Sequence, residues 1–202
     1  MGQPGLFERT DDVLTDGPLG RVTYTPNLVD AARATAWFDA LRERVAWRSE
    51  RRMMYEREVD VPRLVAGFRL DAANLLAPLR EAEALVVAAT GVAYTSVGLN
   101  FYRDGRDSVA PHNDHLYELQ KGKPIALVSL GAPRRMTIRA KAPPRRVLHV
   151  DLEPGSLLVM SYETQLHYDH GIPKTDDVVG PRISLAFRVR GTAPDARGGF
   201  YR

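Results

Sequence analysis

Two hydrophobic periodicities divide the chain. Behind Asp30, the apolar residues Ala34, Trp37, Phe38, Leu41 and Val45 recur three and four apart. That spacing predicts an amphipathic helix over 30–47. Leu75, Leu76, Leu79, Ala82, Leu85 and Val86 repeat the pattern and predict a second helix over 71–90, with Pro78 tolerated in its first turn. Ahead of both lies an irregular lead, 1–26, in which Gly17-Pro18-Leu19-Gly20 marks a turn and 21–24 reads as a strand. After Gly91 the period shortens. The runs 95–103, 124–131, 134–140, 146–152, 156–161, 165–170 and 182–190 are β-rich and separated by Gly, Pro and Asp. Several short strands at such spacing predict a sandwich or barrel. In 182–190, Ile183, Leu185, Phe187 and Val189 alternate with Arg182, Ser184, Ala186, Arg188 and Arg190, the pattern of a half-buried strand.

Length and composition fit one globular domain over 1–202: a helical, lid-forming extension (1–90), a β core (91–190) and a flexible tail (191–202). The absence of cysteine excludes disulfides, thiolate zinc sites and a Cys nucleophile, and suits a cytoplasmic setting. No apolar run is long enough for a membrane span. The start MGQPGLFERTDD has neither the apolar stretch of a signal peptide nor a myristoylation pattern. A monomer is expected. The net charge of +3 and pI of about 9.3 say less than the charge distribution. Arg42, Arg44, Arg48, Arg51, Arg52 and Arg57 crowd one segment, and Arg134, Arg135, Arg139, Lys141, Arg145 and Arg146 another. Each cluster is either a solvated face or a surface that tracks phosphates.

The candidate chemistry begins with His112 and Asp114. Two residues apart on a strand, they would share a face. With one distant histidine they would complete a 2-His-1-carboxylate triad, a ligand set that suits non-haem Fe(II) and leaves positions open. His167 and His170 compete for the third place. Asn113 and His115 should face away from the other two, which makes His115 an outer or surface histidine, and His149 reads as an exposed strand residue. Arg182 and Arg188, six apart, share a face and could meet an acidic cosubstrate in bidentate fashion.

The motifs Leu99–Tyr102, Pro111–His115, Pro124–Ala132, Pro154–Met160, His167–Pro173 and Pro181–Arg188 together resemble the AlkB family of Fe(II)/2-oxoglutarate dioxygenases. The resemblance spans about 91–190, with an echo at Val61-Pro62-Arg63. It implies an α+β, mainly β fold: a double-stranded β-helix, or jelly roll, buttressed by N-terminal helices. It implies iron held by His112, Asp114 and His170, leaving His167 structural. Asn100 and Tyr102 match residues that contact 2-oxoglutarate, Arg182 the arginine on its far carboxylate, and Arg188 the arginine near its metal-chelating end. Fe(II), 2-oxoglutarate and O₂ are thus the implied cofactors. The implied reaction releases succinate and CO₂, hydroxylates an alkyl group on a base nitrogen and frees an aldehyde.

Three departures bear on substrate. Leu116 stands where many repair members carry an acidic residue facing the damaged base. Ser184 and Ala186 replace a more polar pair. The segment after Arg63 reads as running directly into a helix, too short for the usual nucleotide-recognition loop, with Phe68 its only candidate stacking ring. The partner this suggests is alkylated single-stranded DNA or RNA. The alternatives are the same chemistry on a protein side chain or small molecule, and a non-catalytic metal-binding module, against which Arg182 and Arg188 argue.

Overall fold

The computed structural model describes residues 11–54 and 57–191, without the side chains of 50–60. The expected tail, the Met1–Thr10 lead and the side chains of Arg51, Arg52 and Arg57 lie outside that description.

Strands β1 (Asp12–Thr15) and β2 (Val22–Thr25) form a hairpin around the Gly17–Gly20 turn. Helix α1 (Ala31–Arg44) follows, and the Asp30 carboxylate caps it by accepting from the Arg33 N–H. A second hairpin joins β3 (Arg48–Met54) to β4 (Arg57–Arg69). This corrects the reading of 64–70: the chain runs as a long strand there, and helix α2 (Ala77–Thr90) starts only near Pro78. Proline suits a first turn because an N–H there would have no carbonyl of an earlier turn to donate to. The described residues before 91 therefore supply four strands of a sheet as well as two helices.

The β core runs from β5 (Ser96–Tyr102) through β6 (Val109–His112), β7 (Ile125–Gly131), β8 (Arg134–Ala140), β9 (Val147–Leu152), β10 (Leu157–Met160) and β11 (Tyr168–Ile172) to β12 (Arg182–Arg188). A 3-10 turn, Leu116–Glu118, and helix α3 (Tyr162–His167) interrupt it. The expected strand at 165–170 is thus helical in its first half. Ser161 is extended, and the Thr164 N–H and hydroxyl both donate to its carbonyl, closing the turn that starts α3.

The larger sheet has the order β1-β2-β10-β7-β12-β5-β4-β3 and the smaller β6-β11-β8-β9, with antiparallel neighbours throughout. Apart from the β8–β9 hairpin, consecutive core strands pass back and forth between the sheets, which is the jelly roll expected from the resemblance. Two apolar clusters result. Trp37, Phe38, Leu41, Leu79, Val86, Leu99, Ile183, Leu185 and Phe187 join both long helices to the outer face of the large sheet. Tyr102, Ile125, Leu127, Ile138, Leu158 and Ala186 fill the space between the sheets. β12 is therefore not half-buried. Its residues from Arg182 through Phe187 are buried on both faces, and its polar-looking face is the inside of the roll.

Candidate metal and cosubstrate site

At the mouth of the roll the smaller sheet sets two histidines side by side. β6 and β11 pair with His112 directly opposite His170, and their rings lie 4.5 Å apart. Gly171 lets the strands come this close, since a Cβ there would stand 2.8 Å from the Val109 carbonyl oxygen. The His112 Nδ1 lies 3.0 Å from the Ala110 carbonyl oxygen. A carbonyl only accepts, so Nδ1 carries the proton and Nε2 presents its lone pair. Asp114 joins this pair by another route than expected. β6 ends at His112, so no strand alternation places Asp114; it stands on the loop beyond. Neither Asn113 nor His115 occupies an opposite strand face. One ligand-type atom from each of His112, Asp114 and His170 lies within 4.8 Å of the others.

Side chains hold Asp114 instead. Arg188, at the end of β12, grips it with a fork: Nε donates to Oδ2 at 2.7 Å and Nη2 to Oδ1 at 3.1 Å. Each carboxylate oxygen keeps a second lone pair for a metal. Gly98 makes room, because a Cβ there would meet Arg188 Nη1 at 3.1 Å. The Asp114 N–H donates at 3.0 Å to Oε1 of Gln165, a buried residue of α3. The Lys141 ammonium donates to the Asn113 amide oxygen and to the Gln165 and Leu166 carbonyls, fastening the loop to α3.

These environments suit ligands. Burial raises the carboxyl of Asp114, but the charge and hydrogen bonds of Arg188 outweigh it and hold that group well below its ordinary value. Burial, reinforced by His112, pushes His170 down to about 3. Burial also lowers His112, against the Ala110 hydrogen bond. The trio is therefore an anion and two neutral imidazoles, the protonation state that metal binding demands.

Deeper in the roll sits Arg182, 1% exposed. Its Nη2 donates to Ser129 Oγ at 2.9 Å, and its guanidinium lies 5.2 Å from the centre of the Tyr102 ring. Nε and Nη1 are buried with no hydrogen-bond partner among the described residues. A buried cation with two idle donors is costly unless an anion joins it. The register explains the grouping: Arg182 faces Tyr102, and Ser184 lies between Asn100 and Ser129. The Asn100 amide oxygen accepts from Arg63 Nε at 2.7 Å. Of the metal and cosubstrate candidates, His112, Asp114 and His170 come together, Arg188 joins them through Asp114, and Arg182 stands against Tyr102 on the neighbouring strand. His115 and His149 are exposed, and His167 ends α3 outside the trio.

Sequence reasoning missed Gln165, Ser129 and the task of Lys141. It also misjudged Arg134, which is buried and donates to the carbonyls of Asp104, Asp107 and Pro173. It lies 5.8 Å from the Tyr102 ring centre and cannot track phosphates. Arg135 pairs with Asp151, while Arg145 and Arg146 are exposed. Phe68 packs toward the helical layer, so it offers no ring to a substrate.

A jelly roll with such a trio and a buried arginine defines an oxygenase class, and the family comparison agrees. The chain belongs to the 2OG-Fe(II) oxygenase superfamily, whose family model matches residues 70–188. Its relatives within that superfamily are of AlkB type. It is 36% identical over 130 residues to the Bos taurus DNA oxidative demethylase ALKBH2, covering 61% of this chain and 47% of that protein. The Homo sapiens ALKBH2 is 40% identical over 110 residues, 51% of this chain and 42% of that protein. The Mus musculus alpha-ketoglutarate-dependent dioxygenase alkB homolog 3 is 29% identical over 217 residues, 98% of this chain and 74% of that protein. The chain spans about half the length of the ALKBH2 relatives it matches. The solved structure of OsALKBH1 shares the fold, with a TM-score of 0.63 over 89% of this chain and 100% of that one, at 13% identity. The family's cofactors are Fe(II), 2-oxoglutarate and O₂, and the residues present fit them. No helix among the described residues is long and apolar enough to cross a membrane.

Proposed function

We propose that this protein is a 2-oxoglutarate-dependent dioxygenase that removes alkyl groups from base nitrogens of DNA or RNA, with a preference for single strands. The observation that carries the catalytic part is Arg182, buried with two idle donors behind a neutral-His, ionised-Asp trio. His112, Asp114 and His170 would hold Fe(II), and Arg182 with Ser129 would take the far carboxylate of 2-oxoglutarate. Iron with that cosubstrate supplies the oxidising power for O₂-dependent hydroxylation of an alkyl carbon. The protein's own residues do the positioning. Arg188 keeps Asp114 ionised and aimed, while Arg63 fixes the Asn100 amide beside the cosubstrate space. Tyr102 presents its ring to Arg182 and, with the apolar residues between the sheets, keeps that space dry.

The ALKBH2 and alkB homolog 3 relatives support a nucleic-acid substrate. A base in a duplex must leave the stack before an oxidant reaches it, and a single strand pays no such cost. Leu116 offers no polar contact, so discrimination among lesions should be loose. The test is formaldehyde and succinate release from methylated single- and double-stranded oligonucleotides. Release that is faster from single strands supports the reading. No release from either, with turnover stimulated by a peptide or metabolite, overturns the nucleic-acid part.

A further inference from the structure

The segment after Asp114 is anchored to the large sheet at several points. Leu119 forms a bridge with Arg190, Gln120 N–H donates to the Val189 carbonyl, and Gly191 N–H donates to that of Glu118. The Glu118 carboxylate pairs with Arg190. On this rigid base two rings are displayed to solvent. Tyr117 is 70% exposed and stacks on His115, with centroids 5.3 Å apart and planes at 24°. A ring this exposed adds little to the core and leaves one face open for stacking. It stands three residues from Asp114. Past it come Lys121 and Lys123, both exposed and neither in an ion pair among the described residues. An exposed π face followed along the same loop by two exposed lysines matches one repeating chemistry, a base followed by phosphates.

We propose that His115 and Tyr117 form a stacking platform for the nucleotide next to the target base, with Lys121 and Lys123 holding the adjoining phosphates. This deepens the nucleic-acid reading and rests on it. The platform accepts any neighbouring base, because stacking is tolerant of sequence. It also differs from the 134–146 ridge, whose Arg134, Arg135 and Lys141 are engaged within the protein.

The test uses the full chain loaded with Fe(II) without O₂, and short single-stranded oligonucleotides carrying one N-methylated adenine. Fluorescent 2-aminopurine is placed on either side of it. On the parent protein, one of the two oligonucleotides should lose fluorescence as 2-aminopurine stacks. Tyr117→Ala should abolish that loss and weaken binding about 5- to 150-fold. Tyr117→Phe should retain both. Lys121→Gln with Lys123→Gln should keep the quench but flatten the salt dependence of binding, by about 1.4 in the log–log slope. Parent-like quench and affinity in Tyr117→Ala would overturn the platform while leaving the nucleic-acid reading standing. No oligonucleotide binding by the parent would overturn both.

Discussion

The two histidines and the aspartate of the site are held by different kinds of force. His112 and His170 are rungs of one ladder, fixed by backbone hydrogen bonds between β6 and β11 that no single side chain controls. Asp114 stands past the end of its strand, aimed by Arg188, Gln165 and the loop fastening through Lys141. The smaller sheet thus supplies the rigid half of the site. The larger sheet and α3 supply the half that substitutions can loosen without touching a ligand. A histidine pair needs only distance, whereas an aspartate that must be ionised, aimed and partly free needs a cation with matching geometry.

The bluntest way to erase the difference is to remove the ligands. His112→Ala, Asp114→Ala and His170→Ala should each abolish Fe(II) retention and 2-oxoglutarate turnover, since three protein ligands leave no spare. His167→Ala should keep most of both. Metal titration and succinate assay are the measurements, and iron kept by His170→Ala but lost by His167→Ala would reverse the assignment.

Arg182 separates the cosubstrate end from the metal end. Arg182→Ala removes a charge-assisted pair worth about 1.5–3 kcal/mol, or roughly 10- to 150-fold in the 2-oxoglutarate requirement. Iron affinity should stay near that of the parent, because the trio and Arg188 remain intact. An unchanged requirement would mean that another cation grips the cosubstrate.

Gln165 tests whether Asp114 depends on side chains. Gln165→Met keeps the volume but leaves the Asp114 N–H without its acceptor. Loss of such an outer partner lowers metal affinity about 10- to 100-fold. Circular dichroism should show the fold retained, and Gln165→Glu, which keeps an acceptor oxygen, should restore part of the affinity. Parent-like iron affinity in Gln165→Met would leave the aiming of Asp114 to Arg188 and the Lys141 fastening.

What could be read in advance follows the same division. The helix at Asp30 and the alternation of 182–190 were legible because period and capping are local. His112 and Asp114 were legible as a pair two apart, but the choice of His170 over His167 came only from the family resemblance, and Asp114 stands on a loop and not on the strand expected. The strand over 57–69 was not legible: RLVAGF has no clean alternation, since β4 packs against the helices on one face and lines the roll with the other. The inward direction of Arg182 and Arg188 contradicts the rule that charged faces meet water, and only a ligand-binding interior reconciles it. Gln165 carried no signal, because its partner is a backbone N–H 51 positions away. Arg134 looked like surface charge, and only the fold reveals the three carbonyls it serves.

The gentlest probe of the comparison is Lys141. Its ammonium ties Asn113, beside the ligand, to the carbonyl end of α3, and its side chain is 34% exposed. Water can replace much of what it donates, so the loss is smaller than at Gln165. Lys141→Met should lower iron affinity only a few-fold, about the worth of one net hydrogen bond. Its clearer effect should be on order: amide exchange should quicken at Asn113 and Asp114 and stay unchanged at His112 and His170, whose ladder does not involve the lysine. Equal quickening at all four would mean that the loop and the ladder open as one unit, and that the two kinds of support are not independent.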